Sequence, residues 1–323
     1  MTTFNAVAEA IHIVAALRAA ERAGVLAALA VAPGPVEDVA ARAGTDPRST
    51  RLLLEALDAI GVVAAEPGRF RLAVPGADQI GGLLATADRL DETVRTGLPP
   101  VDVRTADGAG RLYPGAVAAL SAAQRDIADR VADVLGPGVR DVLDVAAGGG
   151  VYGIAVARRT PESRVTALDL PEVLPTTRAA VDVAGVAGRF SFWGTDVLTV
   201  GEAPAPRFDV AVVANLCHLF DRVTCADLLR RVASLLRPGG RVAVVDVLPA
   251  AAGDIAARRA VALYALGLAG RTSAGGVHEL GDYRTWLAGA GFEEPDVVPL
   301  GGSVPLSLVL ARVAATDRTP AAV

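Results

Sequence analysis

The sequence predicts an α/β protein in which a doubly wound parallel sheet follows a mainly helical, winged-helix-like N-terminal domain. Three observations predict it. Large apolar residues recur at helical spacing through Ile60, short β-branched runs alternate with helical stretches from Asp141 onward, and a strand leading into a glycine turn opens that second part. The length of 323 residues exceeds what one hydrophobic core usually supports, so two domains are expected, 1–115 and 116–323.

From Phe4 to Ala30 the residues Val7, Ile11, Val14, Leu17, Val25 and Leu29 keep near-helical spacing, broken at Ala23-Gly24 and ended by Pro33-Gly34-Pro35. Two short helices follow, Val36 to Ala43 and Arg48 to Ile60, the second capped by Thr45 or Asp46 with Pro47 in its first turn. Gly61-Val62-Val63 and the stretch Phe70 to Val74 then read as a two-stranded wing. Residues 75–115 are rich in Gly, Pro and Asp and give no assignment beyond a connection or a cover for the active site.

In the second part the strands are expected at Asp141–Ala146, Arg164–Leu168, Arg189–Trp193, Phe208–Ala214 and Arg241–Val247. Two late runs, Asp296–Leu300 and Pro305–Val313, have no helix between them and suit an antiparallel hairpin at the sheet edge.

Composition removes several function classes. The content is 52% hydrophobic with 4% aromatic, which describes a folded, helix-rich chain, and no apolar run reaches the roughly 18 residues that span a bilayer. The N-terminus shows no secretory pattern, so a cytoplasmic enzyme is expected. A net charge of −5 argues against a nucleic-acid partner, and the helix Ser49–Asp58 carries one Arg against two acids, a poor DNA reader despite its winged-helix setting. All 31 basic residues are Arg, which excludes lysine Schiff bases, pyridoxal phosphate attachment and a Walker-type phosphate loop. Two cysteines, Cys217 and Cys225, are too few for a disulfide framework and read as reduced thiols.

The chemistry-bearing signal is the run from Asp141 through Asp144 to Gly148, Gly149, Gly150 and Gly153, a strand, a glycine turn and a helix. Such a turn lets a ligand approach the backbone at the carboxyl end of the first strand. Asp169 ends the next strand, 25 residues after Asp144, where a carboxylate meets ribose hydroxyls. The same spacing satisfies a dinucleotide fingerprint, so a nicotinamide oxidoreductase is the rival class. Asp144, inside the strand before the turn, argues against it, because a negative charge there opposes a pyrophosphate.

Five segments taken together resemble the plant-type and actinobacterial small-molecule O-methyltransferases: Asp144-x-Ala-x-Gly148-x-Gly150, Asp169-Leu-Pro171, Gly194-Thr195-Asp196, Ala214-Asn215-Leu-Cys-His218-Leu-Phe220 and Arg237-Pro-Gly239-Gly240 through Asp246. The likeness extends over nearly the whole chain. It implies a Rossmann-like class I methyltransferase domain that binds S-adenosyl-L-methionine, an intertwined homodimer made by the N-terminal domain, and a small-molecule acceptor.

Placed on this sequence, the resemblance implies that Asp144, Gly148 and Gly150 hold the methionine portion of the cofactor. Asp169 takes the ribose hydroxyls, Leu170 packs on adenine, Asp196 meets the adenine amino group, and Asn215 also falls in the cofactor set. His218 is the implied general base, and a neutral imidazole suits that task near pH 7. Tyr264, Arg271 and Trp286 border the substrate pocket.

Three departures stand out. Ala146 replaces the first glycine of the loop, Leu219 replaces the acid that follows the catalytic His, and His278 in Gly275-Gly276-Val277-His278-Glu279 stands where a later loop usually supplies an acid. At these positions His218 is left without its usual carboxylate partner, and His278 reads as a second acid-base group, a substrate hydrogen-bond donor or half of a His218/His278 metal site. Two histidines make a poor metal site, so no metal is expected; C-methylation of a 2-oxo acid at a His218/His278 site is the second reading, and a methyltransferase fold doing other chemistry the third. His12 reads as a packed or partner-facing residue of an apolar helix.

Overall fold

In the computed structural model residues 3–200, 207–251 and 253–314 are described. The chain divides into two compact units, Met1–Asp88 with Gly115–Ala122, and Arg89–Pro114 with Ala123–Val323.

The first unit contains α1 (Thr3–Arg22), α2 (Val25–Val31), α3 (Val36–Ala43), α4 (Pro47–Ala59) and the antiparallel pair β1 (Val63–Glu66) and β2 (Arg69–Leu72), the expected wing. Gly24, at φ +72°, makes the break between α1 and α2. Asp46 rather than Thr45 caps α4, accepting the Ser49 N–H at 2.8 Å, while the Thr45 hydroxyl meets that of Thr50. Leu26, Leu29, Val39, Leu54 and Leu57 form the core of this unit, and burying each contributes about 1.5–3 kcal/mol.

The unassigned stretch 75–115 is largely helical: a 3₁₀ turn at Ala77–Gln79, α5 (Gly81–Asp88), α6 (Leu90–Thr96) and the start of α7 (Ala106–Ala123). Its glycines weaken any local helix signal. One of them is required by packing, since a Cβ on Gly108 would lie 1.9 Å from the Asp102 carbonyl oxygen.

The second unit continues with α8 (Arg125–Leu135), β3 (Asp141–Val145), α9 (Val151–Arg159), β4 (Arg164–Asp169), α10 (Leu174–Val183), β5 (Phe190–Gly194) and β6 (Phe208–Ala214). After it come α11 (Arg222–Leu235), β7 (Leu236–Val247), α12 (Ile255–Ala269), α13 (Leu280–Gly289), β8 (Asp296–Gly301) and β9 (Leu306–Arg312). The seven strands are ordered β5-β4-β3-β6-β7-β9-β8, and β9 alone runs against the others, so the late hairpin forms with β8 at the edge. Pairing of β7 reaches back to Leu236, earlier than expected, because a bulge at Gly239 (φ +75°) separates the Leu236 pairing from the ladder that resumes at Arg241.

The central strands read as apolar runs because helices cover both faces of the sheet. Ile127, Ala128, Val131, Ala132 and Leu135 form the buried stripe of α8, packed with Tyr152, Ala155 and Val156 of α9. Toward their carboxyl ends these runs carry Asp144 in β3, Asp169 in β4, Asn215 just past β6 and Asp246 in β7. The switch in strand order falls between β3 and β6, which opens a crevice at that edge of the sheet.

Candidate active site

The glycine turn is held by carboxylates from two strands. Asp144, 2% exposed, accepts the Gly153 N–H at 2.9 Å through Oδ2, tying β3 to the first turn of α9. Burial, reinforced by the charge of Asp169, outweighs that hydrogen bond and pushes the Asp144 carboxyl up to about 7. Gly153 must be glycine for packing: a Cβ would stand 2.8 Å from Asp144 Oδ2 and 2.9 Å from Val165. Asp169 accepts the Gly148 N–H through Oδ2 and the Leu170 N–H through Oδ1, both at 2.7 Å, and burial raises its pKa. Gly148 and Gly150 have φ of +55° and +68°, and Ala146 shares this left-handed conformation at +53°. The Ala146 substitution therefore keeps the turn at a cost in strain. Thr177 donates to the Gly148 carbonyl at 2.6 Å and secures the turn from α10.

Asn215, also left-handed at φ +54°, donates to Tyr152 Oη at 3.3 Å, and Tyr152 donates to Gln124 Oε1 at 3.0 Å. Burial raises the Tyr152 pKa, so this phenol stays protonated as a donor. Asp196 accepts the Leu198 N–H at 2.8 Å in the turn after β5, and Leu170 is half-buried beyond β4.

His218 lies in a 3₁₀ turn, Cys217–Leu219, between β6 and α11, and is 4% exposed. Its Nδ1 is 2.6 Å from Oδ1 of Asp246. The expectation that His218 lacks a carboxylate partner is thus corrected: the acid comes from the end of β7, 28 residues away, instead of from position 219 or 278. Asp246, fully buried, also accepts the Val247 N–H at 2.9 Å, the His218 N–H at 3.1 Å and the Tyr283 hydroxyl at 3.1 Å. Burial and the Asp246 charge raise the Tyr283 pKa, which keeps that hydroxyl a donor. An acceptor-only carboxylate fixes the hydrogen on Nδ1, so Nε2 presents its lone pair. Tyr264 of α12 faces this imidazole, its hydroxyl 3.2 Å from Nε2 and 3.3 Å from Nδ1.

His278 is not brought to His218. Its Nε2 reaches the carbonyls of Phe220 at 3.0 Å and Cys217 at 3.2 Å, with Cys225 Sγ at 3.8 Å. Burial pulls its pKa down, the contacts with Cys225 and the carbonyls pull it up, and the upward pull prevails. Glu279 is the N-cap residue of α13, and its N–H goes to Asp282 Oδ2 at 3.1 Å. Trp286, 6% exposed, stacks edge-on against His278 at 5.0 Å and packs behind it. Arg271 is joined through its main chain, its carbonyl accepting the Val103 N–H at 2.9 Å. Both cysteines are free and buried, and among the described residues no three His, Cys, Asp or Glu side chains gather as a metal site.

Sequence reasoning missed Asp246 and Tyr283 as parts of this site. Asp246 carried a readable signal, being the one polar residue in the apolar run Val242–Val247. Tyr283 carried none, because its partner lies on another element.

Sheet order and site geometry put the protein in the class of Rossmann-like, S-adenosylmethionine-dependent methyltransferases, as the sequence resemblance implied. Human N-acetylserotonin methyltransferase in complex with SAM shares the fold at a TM-score of 0.71 and 20% identity, over 96% of both chains. The structure of PigF with SAH does so at 0.67 and 22%, covering 97% of this chain and 100% of the other. In sequence, the tetracenomycin polyketide synthesis 8-O-methyl transferase TcmO of Streptomyces glaucescens is 29% identical over 68% of this chain and 70% of its own length. The 3-hydroxy-5-methyl-1-naphthoate 3-O-methyltransferase of Streptomyces sahachiroi is 27% identical over 86% and 85%. The model of the O-methyltransferase domain matches residues 124–293, more than half of the chain, and the chain belongs to that family. This membership decides for methyl transfer to oxygen over the oxidoreductase and carbon-methylation readings.

Proposed function

We propose that the protein methylates a hydroxyl of a small aromatic, polyketide-type metabolite, with His218 as the general base. The observation that carries this reading is the Nδ1–Asp246 contact, which leaves Nε2 free to accept a proton. The substrate class rests on the relatives above, which act on a tetracenomycin precursor and a hydroxynaphthoate by their names.

The donor set fits S-adenosylmethionine. Each Asp169 oxygen spends one acceptor site on a backbone amide and keeps another for a ribose hydroxyl. Asp144, buried beneath the turn, suits the ammonium of the methionine portion, which would draw its raised pKa back down. Gly148 and Gly150 shape the turn, Leu170 and Asp196 flank the adenine end, and Asn215 braces the strand end between cofactor and base. When bound, the cofactor supplies an electrophilic sulfonium methyl group. His218 Nε2 takes the acceptor's hydroxyl proton as its oxygen is methylated, and Asp246 stabilises the resulting imidazolium. Tyr264 orients the hydroxyl beside Nε2.

The first unit, Met1–Asp88 with Gly115–Ala122, serves dimerisation, and the second, Arg89–Pro114 with Ala123–Val323, cofactor binding and catalysis. Val7, Ile11 and Val14 support a homodimer, since they are 51%, 62% and 42% exposed at helical spacing on α1, a face that gains from a partner. His12 is exposed beside them. In the wing both Arg69 and Arg71 pair with Glu66, which weighs against phosphate binding and a nucleic-acid partner. No helix among the described residues is long and apolar enough to cross a membrane, and with two free thiols we place the enzyme in the cytoplasm.

The test is turnover with labelled S-adenosylmethionine against a panel of hydroxynaphthoates and polycyclic phenols, each paired with its methoxy-blocked analogue. A methyl ether formed only from free phenols supports the reading; methylation of the blocked analogues at carbon overturns it.

A further inference from the structure

The 3₁₀ turn that carries His218 is one turn long, too short to hold its own position. It is held from outside: Asp246 takes the His218 N–H, Cys225 Sγ reaches the Cys217 carbonyl at 3.2 Å, and one loop reaches every carbonyl of the turn. Between α12 and α13, residues 272–278 supply a donor to each of four consecutive carbonyls. His278 Nε2 serves Cys217 and Phe220, the Gly276 N–H serves His218 at 2.9 Å, and the Thr272 hydroxyl serves Leu219 at 2.7 Å. Thr272 Oγ1 also accepts the N–H groups of Gly275 at 3.1 Å and Ala274 at 3.3 Å, which ties the loop to itself. The fit is close enough that a Cβ on Gly275 would lie 2.1 Å from the His218 carbonyl oxygen.

We propose that loop 272–278 is a clamp that sets the position of the base, with His278 and Thr272 as positioning residues that exchange no proton in the reaction. Asp246 holds the His218 N–H and Nδ1 from the sheet side, and the clamp holds the carbonyls from the other. Only with both in place does Nε2 point where a substrate hydroxyl can meet it. The imidazole of His278 acts through one N–H, a service an amide can also perform. The groups facing His218 are Asp246 from β7 and Tyr264 from α12, with Tyr283 of α13 behind the carboxylate; Cys225 of α11 faces His278. The proposal rests on His218 being the base.

Four variants test it, each measured for kcat, KM, S-adenosylhomocysteine affinity and the pH profile of kcat, with His218→Ala as the reference. His278→Leu is expected to lower kcat by about tenfold to a hundredfold, the scale set by small misplacements of a catalytic group. Its cofactor affinity stays unchanged. His278→Gln, which keeps a donor, retains wild-type kcat and profile. If His278→Leu does not fold, Thr272→Val is expected to behave as it would, with Thr272→Ser restoring activity. The clamp is overturned if the donor-less variants keep wild-type kcat and profile, or if His278→Gln is as inactive as His278→Leu. Activity surviving in His218→Ala would instead overturn the reading of the base.

Discussion

Replacing Asp246 by Asn changes one acceptor oxygen into a donor and leaves volume unchanged, so its effect can be worked from the four hydrogen bonds at that carboxylate. If the amide NH2 takes the Oδ2 place, it meets the His218 N–H, an obligatory donor, and the Tyr283 hydroxyl, which can turn to accept. In the Oδ1 place it meets the Val247 N–H and His218 Nδ1, and the imidazole can relieve one conflict by moving its hydrogen to Nε2. Each arrangement leaves one backbone N–H unpaired at a cost of about 1–3 kcal/mol, and the second also imposes the wrong tautomer. Nε2 then carries a hydrogen and cannot accept one, and the imidazolium has lost its counter-charge. The loss of general-base catalysis is about 10²–10⁴ in kcat, or roughly 3–5 kcal/mol in the transition state. Asp246 makes no contact with the glycine turn, so S-adenosylhomocysteine affinity should be nearly unchanged. The assay is initial-rate methyl transfer at saturating acceptor alongside calorimetric titration. An Asp246→Asn enzyme turning over at the wild-type rate would refute the tautomer argument.

Three further outcomes follow from the turn around the cofactor site. Ala146→Gly relieves a left-handed alanine and should raise stability by up to about 1 kcal/mol in urea denaturation, the relief of strain being partly offset by a more flexible unfolded chain. Gly153→Ala puts a methyl group against Asp144 and Val165 and should destabilise by about 1–3 kcal/mol while weakening S-adenosylhomocysteine binding. Asp144→Asn tests the raised carboxyl. Its folded pKa of about 7 lies above the ordinary carboxyl value of 3.8, so the stability it lends is complete below that value and is lost as pH rises through about 7. The Asn variant should therefore match the wild type near pH 4 and exceed it, by a few kcal/mol at most, near pH 8 in the absence of cofactor.

The sheet was legible because parallel strands buried on both faces leave uninterrupted β-branched runs, and each ended within a residue or two of its sequence boundary except β7, where the Gly239 bulge hides the start. The helices of 75–115 were not legible: α7 includes Gly108, Gly110 and Pro114, poor helix formers that break the local signal. In the site, the glycine turn and Asp169 announced themselves by local spacing, and His218 by the family resemblance of its segment. The partner of His218 did not, because a β7 residue meets the turn after β6 through sheet pairing, and a search beside His218 or at the later loop finds only Leu219 and His278. His278 itself looked like a second catalytic group because its position in the chain gives no sign of which atoms its ring reaches.

The most direct test of the central claim is His218→Ala, with methyl-ether formation and S-adenosylhomocysteine affinity measured on the same preparation beside the wild type. The account predicts turnover lowered by about 10²–10⁴ with cofactor affinity preserved. Turnover that persists, or cofactor affinity that falls together with it, would contradict the assignment of His218 as the base.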